Sequence, residues 1–245
     1  MTENNQLVAM RQSGKILSTI LNDIRKKTTV GTKTSEINEM ANRMCLKHRV
    51  KPSFLGYGGY PASICVSVND EVVHGIPGDY EIRDGDIVSL DFGVEFGGFH
   101  TDSAITFGVG NISAEAHRLI TVTENSLEKG IEAAKPGNNV GAIGHAVQSY
   151  VESHGFGVVR TLVGHAIGAK VHEEPFIPNF GKPGDGPKIQ LNKALAIEPM
   201  VTTGNHDVIL DNDGWTYKTK DGKLSAHFEH TIWVHEDGPE ILTQA

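Results

Sequence analysis

Four carboxylates of this sequence stand where ionised acids are costly. Asp91 follows Asp86-Ile87-Val88-Ser89-Leu90, Asp102 precedes Ser103-Ala104-Ile105-Thr106-Phe107, and Gly97-Gly98 between them is a turn signal. The spacing predicts a β-hairpin with an acid on each arm. Glu198 ends the alternating run Lys193-Ala194-Leu195-Ala196-Ile197, and Glu229 lies within Ala226-His227-Phe228-Glu229-His230-Thr231-Ile232-Trp233-Val234. A lone aspartate at a strand end is usually a turn acid or half of an ion pair. Four acids in apolar, strand-forming surroundings ask for a shared cation, because a buried carboxylate needs pairing, hydrogen bonds or metal. His165 adds a nitrogen donor, with Gly164 and Gly168 letting the backbone approach a site. Carboxylate and imidazole donors without a thiolate suit a pair of divalent ions such as Mn, Fe, Co or Zn rather than structural zinc. Two such ions roughly 3.5–4 Å apart generate hydroxide at neutral pH and polarise a carbonyl, which is hydrolase chemistry.

The elements that position these groups follow hydrophobic periodicity. Leu7, Met10, Leu17, Leu21 and Ile24 recur at helical spacing, starting by Leu7 and ending at Lys26-Lys27 before Gly31. Thr34 is the expected cap of a second helix with Ile37, Met40 and Met44 on one face, running to about His48. Turns and short strands over 54–60 and 63–68 lead to the hairpin. The order then repeats. Ser113 caps a helix carrying Ala116, Ile120, Thr123, Leu127 and Ile131, stopped by Lys135-Pro136-Gly137, and a helix with Ile143, Val147 and Tyr150 ends near Gly155. Strands are expected through 158–163 and on to the C-terminus. Gly31 and Gly137, Ile37 and Ile143, and Leu21 and Leu127 share an offset of 106 residues, which also carries Asp91 to Ile197 beside Glu198. This spacing predicts one catalytic domain over 1–245 built from two pseudo-symmetric helix-helix-strand halves, roughly 5–110 and 111–245. The class is α+β, with helices on one side of a curved, largely antiparallel sheet.

At 245 residues and 26.5 kDa the chain can bury about three quarters of its unfolded surface without staples. Cys45 and Cys65 in an otherwise ordinary sequence point to a reducing compartment. A net charge of -8 without a basic run argues against nucleic-acid partners. The N-terminus lacks signal-peptide regions and no apolar run is long enough to span a bilayer, so a soluble, cytoplasmic protein without a membrane partner is expected, by default a monomer.

Rival chemistries fail on spacing. His172-Glu173-Glu174-Pro175-Phe176 has Phe176 where a zincin helix needs its second histidine, and the 181–187 glycine-rich run has Pro187 where a phosphate loop needs lysine. Asp211-Asn212-Asp213-Gly214 lacks the later calcium ligands and reads as a turn, and no Gly-x-Ser-x-Gly elbow is present.

Six segments together resemble the type I methionine aminopeptidases. They are Asn69-Asp70-Glu71-Val72-Val73-His74-Gly75-Ile76-Pro77, the Asp91/Asp102 hairpin, Gly164-His165-Ala166-Ile167-Gly168, Val171-His172-Glu173-Glu174-Pro175, Ile197-Glu198-Pro199-Met200 and Phe228-Glu229-His230-Thr231, in that order. The resemblance spans nearly the whole chain. It implies the pita-bread fold and two divalent metal ions, with Asp91 chelating one, Asp102 and Glu229 bridging, and His165 and Glu198 completing the second site. It also implies Glu198 as general base, with His74 and His172 contacting substrate and stabilising the tetrahedral intermediate. Tyr57, Tyr60, Cys65 and Trp215 match positions that line the methionine pocket, where a thioether needs shape and polarisable walls. The implied substrates are N-termini of nascent proteins and peptides with a small second residue, met at the ribosome through the domain surface. His100, His227 and His230 flank the acids without matching ligand positions and read as outer or structural groups.

Two departures stand out. Ala166 replaces the family's usual glycine, and a φ below zero is expected there. Val171 and Phe54 imply a differently shaped but still apolar pocket. Prolidase and aminopeptidase P relatives usually carry an extra N-terminal domain, and a type II enzyme would carry a long insertion where only 30 residues separate Glu198 from Glu229. A catalytically dead, partner-binding member of the fold would have lost ligands, and all five are present.

Overall fold

The computed structural model describes residues 3–244. Helix α1 (Glu3–Lys27) begins ahead of Leu7, and its stripe of Met10, Leu17, Ile20, Leu21 and Ile24 is at most 2% exposed. Each such burial contributes roughly 1.5–3 kcal/mol, so the packed face holds this helix more than its propensity does. Arg25, Lys26 and Lys27 in its last turn complement the helix dipole. Helix α2 (Thr34–His48) differs from expectation at its start. Its cap is Lys33, whose N–H donates to the Glu36 carboxylate at 2.8 Å. The Thr34 hydroxyl, already inside the helix, instead accepts from the Gly78 N–H at 2.8 Å and ties down the loop that follows His74. Helices α3 (Ala114–Ala133) and α4 (Val140–Ser153) follow, α3 capped by Ser113, whose hydroxyl accepts from the Ala116 N–H at 3.1 Å.

The first strands are β1 (Lys51–Pro52), β2 (Cys65–Val68), β3 (Glu71–Val73), β4 (Ile87–Phe96) and β5 (Phe99–Gly108), with a short 3₁₀ turn over Tyr57–Gly59 before β2. After α4 come β6 (Gly157–Val158), β7 (Val163–Ile167), β8 (Glu173–Pro178), β9 (Ala194–Ile197) and β10 (Met200–Thr202). The chain closes with β11 (Val208–Leu210), β12 (Tyr217–Thr219), β13 (Ser225–His227), β14 (Glu229–His235) and β15 (Gly238–Ile241). The large sheet runs β1-β4-β5-β14-β9-β7-β8, with β2 also on β4 and β15 on β14. Every ladder between named strands among the described residues is antiparallel. The strands expected through 158–163 lie at the two ends of that run: β6 pairs with β10 in a small sheet, β7 pairs with β8 and β9 in the large one, and 159–162 cross between them.

The β4–β5 hairpin turns at Gly97 and Gly98, whose φ of 63° and 85° is the double positive a two-residue turn needs. Along β4, Val88, Leu90, Phe92 and Val94 pack in one core with Leu17, Leu21 and Ile37. The period of two therefore sends Ser89, Asp91 and Gly93 to the opposite face. Leu195 and Ile197 likewise pack with Leu127, Ile131, Val140 and Ile143, leaving Ala194, Ala196 and the following Glu198 on the side of Asp91. The helices thus cover one face of the sheet, and the acids gather on the other. No helix among the described residues is long and apolar enough to cross a membrane.

Candidate active site

Two adjacent cross-strand rows bring the expected residues together. In the first, Asp91 lies opposite Ala104 and Ala104 opposite Glu229. Glu198 extends this row, because Ile197 before it pairs with His230. In the second, Gly93 lies opposite Asp102, and Thr231, Ala196 and His165 follow in register. Asp102 and Thr231 are joined reciprocally: the Asp102 N–H donates to the Thr231 hydroxyl, which donates back to the Asp102 carbonyl, both at 2.8 Å. Directly opposed residues share a face, so the four carboxylates and the imidazole converge. Ala104 and Ala196 put only methyl groups between them, and Ser53 and Phe54 pack over Gly93.

Donor atoms of Asp102, His165 and Glu229 all lie within 4.8 Å of one another. Asp91 Oδ1 and Glu229 Oε1 are buried without a hydrogen-bond partner. His165 Nδ1 lies 3.0 Å from the Ala166 carbonyl, which can only accept, so Nδ1 carries the proton and Nε2 keeps its lone pair. That lone pair lies 3.6 Å from Glu198 Oε1, beyond hydrogen-bonding distance. Acceptors facing acceptors in a buried space fit a divalent cation, and the oxygen and imidazole donors are those that hard-to-borderline metals take.

The electrostatics agree. Burial pushes the Asp91, Glu198 and Glu229 carboxyls well above the usual range, and neighbouring acids push them further, Asp102 acting on all three. Asp102 is itself raised to about 7 by burial, against the pull of the Ser103 N–H at 3.0 Å. Burial lowers the imidazoles, His165 to about 3 and His74 to about 4, so both are neutral at physiological pH.

All eleven candidate residues line one cavity, joined by Phe54. Cys65 lies opposite Asp91 across β2 and β4. It forms an apolar wall with Phe54, Tyr60, Ala62 and Val171, and Trp215 packs against this wall, edge-on to Tyr60 with ring centres 5.2 Å apart. At the mouth, the His172 ring is 4.3 Å from His165, and the Tyr57 hydroxyl is 3.0 Å from His172 Nδ1. His74 has a φ of 60°, a left-handed conformation that costs a β-carbon-bearing residue on the order of 1–3 kcal/mol. Gly75 after it cannot be larger, since a β-carbon would sit 2.3 Å from the Val66 carbonyl. Ala166 is not among the non-glycine residues with positive φ, and it is buried in the core beneath α3 and α4, so its methyl fits without strain.

His100 and His230 lie in the roles expected of outer groups, hydrogen-bonded to the Ser53 and Thr243 hydroxyls at 2.9 and 2.8 Å. His227 also lies outside the carboxylate cluster but directly against it, its Nε2 3.4 Å from Glu198 Oε2. Tyr217, edge-on to His74 with ring centres 6.0 Å apart, was not legible beforehand, since nothing local ties β12 to β3.

The profile of metallopeptidase family M24 matches residues 8–236. A methionine aminopeptidase of Clostridium perfringens is 54% identical over 239 residues, covering 98% of this chain and 96% of the relative. Methionine aminopeptidase 1 of Bacillus subtilis is 48% identical over 239 residues, again covering 98% and 96%. Among solved structures, the methionine aminopeptidase of Thermotoga maritima superposes with a TM-score of 0.96 at 43% identity, covering 98% of this chain and 97% of that one. A prolidase of Pyrococcus horikoshii shares the fold alone, with a TM-score of 0.76 at 18% identity over 98% of this chain and 62% of that one. Full-length matches at this identity, over a pita-bread fold with clustered carboxylates, place the chain in metallopeptidase family M24, alongside its methionine aminopeptidases.

Proposed function

We propose that this chain removes the initiator methionine from nascent proteins and peptides whose second residue is small. The observation that carries this is the convergence of Asp102, His165 and Glu229 at one end of a cavity whose other walls are Phe54, Tyr57, Tyr60, Cys65 and Trp215. Asp91, Asp102, His165, Glu198 and Glu229 would hold two divalent ions (Co, Mn, Fe or Zn), Asp102 and Glu229 serving both. Bound there, such ions supply Lewis acidity and a lowered pKa for water.

The chain's own groups do the rest. Glu198 takes the proton of the attacking water and returns it to the leaving amine, a role suited to a carboxylate raised by burial. Neutral His74 and His172 orient the substrate and donate to the developing oxyanion. Tyr57, Tyr60, Cys65 and Trp215 offer the unbranched thioether apolar and polarisable walls. Nascent N-termini would be met in the cytoplasm by a monomer, through the domain surface. A peptide series Met-X-Ser tests the substrate rule. Release of methionine for X of Gly, Ala or Ser but not Leu or Phe is expected, and equal release from all would contradict it.

A further inference from the structure

His227 is the most deeply buried histidine, 1% exposed, and neither of its ring nitrogens has a hydrogen-bond partner among the described residues. A core histidine normally satisfies at least one nitrogen. Its backbone, by contrast, is fixed. The Thr106 hydroxyl accepts from the His227 N–H at 2.9 Å and donates to the His227 carbonyl at 2.7 Å, and Ser89 braces Thr106 from β4 at 2.8 Å. In the β10–β13 ladder His227 lies opposite Met200, two residues beyond Glu198. The polar group the ring faces is Glu198, with Nε2 at 3.4 Å from Oε2. The other oxygen of Glu198, Oε1, is the one turned to His165, at 3.6 Å. The two oxygens thus meet different partners: a lone pair on the His165 side, and on the His227 side a ring nitrogen free to carry a proton.

We infer that His227 is a positioning residue for the proteolytic reaction, donating Nε2–H to Glu198 Oε2 and so fixing which oxygen of that carboxylate faces the substrate side. This rests on the assignment of Glu198 as general base. A neutral imidazole suits the task because it donates a single hydrogen bond without contributing a charge that would compete with a bound cation. The side chain contacts neither substrate nor reacting atoms in this role. It acts through Glu198 alone, by shortening the search of the carboxylate among its rotamers.

The test uses the full-length enzyme, H227L, H227Q and E198Q. In the metal-free wild type at alkaline pH, where Glu198 is ionised, nitrogen-15 NMR of the imidazoles is expected to show His227 as the Nε2–H tautomer, with a resonance that moves in E198Q. An Nδ1–H tautomer, or no response to E198Q, overturns the inference whatever the activity. With Mn restored and Met-Ala-Ser as substrate, H227L is expected to lose tenfold or more in kcat with KM within threefold. H227Q, which can donate from its amide, is expected to recover most of that loss. Manganese affinity by calorimetry is expected to stay within threefold in both variants. A kcat for H227L equal to wild type overturns the inference, and so does a loss explained by weaker manganese binding, which would tie His227 to holding the metal rather than to orienting Glu198. A wild type that turns over no peptide contradicts the proposed function itself, while the tautomer experiment still decides the His227–Glu198 contact.

Discussion

Gly93 lies directly opposite Asp102 in the hairpin ladder, and a β-carbon on it would stand 2.9 Å from Ser53 Cβ and 3.0 Å from the Phe54 ring. The segment that roofs the cavity therefore rests on a hydrogen atom. Gly93→Ala is expected to cost about 1–3 kcal/mol through overpacking and to displace Phe54 from the pocket wall. Thermal unfolding checks the first part, and a rise in KM for Met-Ala-Ser exceeding any change in kcat checks the second.

Buried acids that repel one another should make the metal-free protein pH-sensitive. Asp102, at about 7 in the fold, and Asp91, Glu198 and Glu229, all raised, bind more protons folded than unfolded, so their contribution to stability falls as pH rises. The lowered imidazoles His165, His74 and His227 act oppositely, but only up to the unfolded histidine value near 6.5. Between about pH 4 and 6.5 the two sets therefore offset each other. Above it the carboxylates act alone. The melting temperature of chelated protein is expected to fall between pH 6.5 and 8, and divalent metal is expected to flatten that slope.

Removing one of these charges should separate stability from function. Asp102→Asn keeps the shape and deletes a repelling acid, so at pH 8 the metal-free variant is expected to melt higher than the wild type. Metal-dependent turnover is expected to fall by a factor of at least about 100, the scale of a lost catalytic metal contact. A variant both active and unchanged in stability would contradict the placement of Asp102 in the cation site.

The hairpin and its acids were legible because local signals suffice there. A Gly-Gly turn fixes the register, and the alternation of Val88, Leu90, Phe92 and Val94 leaves Asp91 facing away from the core. Glu198 was legible for the same reason, at the end of Ala194-Leu195-Ala196-Ile197. The strands around 158–163 were legible but their partners were not, because an apolar stretch does not say which sheet each half joins. Thr34 was misplaced by one residue because its hydroxyl serves the distant Gly78 rather than its own helix. Tyr57 and Trp215 were assigned through family resemblance alone, since their meeting depends on loops far apart in sequence. His227, read as an outer group, gave no local sign of facing Glu198.

His74 holds its left-handed backbone at a cost that a side chain with a function would justify. His74→Asn, a residue tolerant of that conformation, is expected to leave the melting temperature within about 2 °C, a few tenths of a kcal/mol. Its turnover is expected to drop at least tenfold. An equal loss of stability and activity would make His74 a structural residue.

The central claim is that the buried carboxylates form a metal site serving a methionine pocket. The most direct measurement is hydrolysis of Met-Ala-Ser, Ala-Ala-Ser and acetyl-Met-Ala-Ser by chelated protein, then with Mn, Fe, Co or Zn restored one at a time. Methionine released from Met-Ala-Ser alone, and only once metal is present, is the expected result. Turnover that survives chelation, or no turnover with any of the metals, would contradict it.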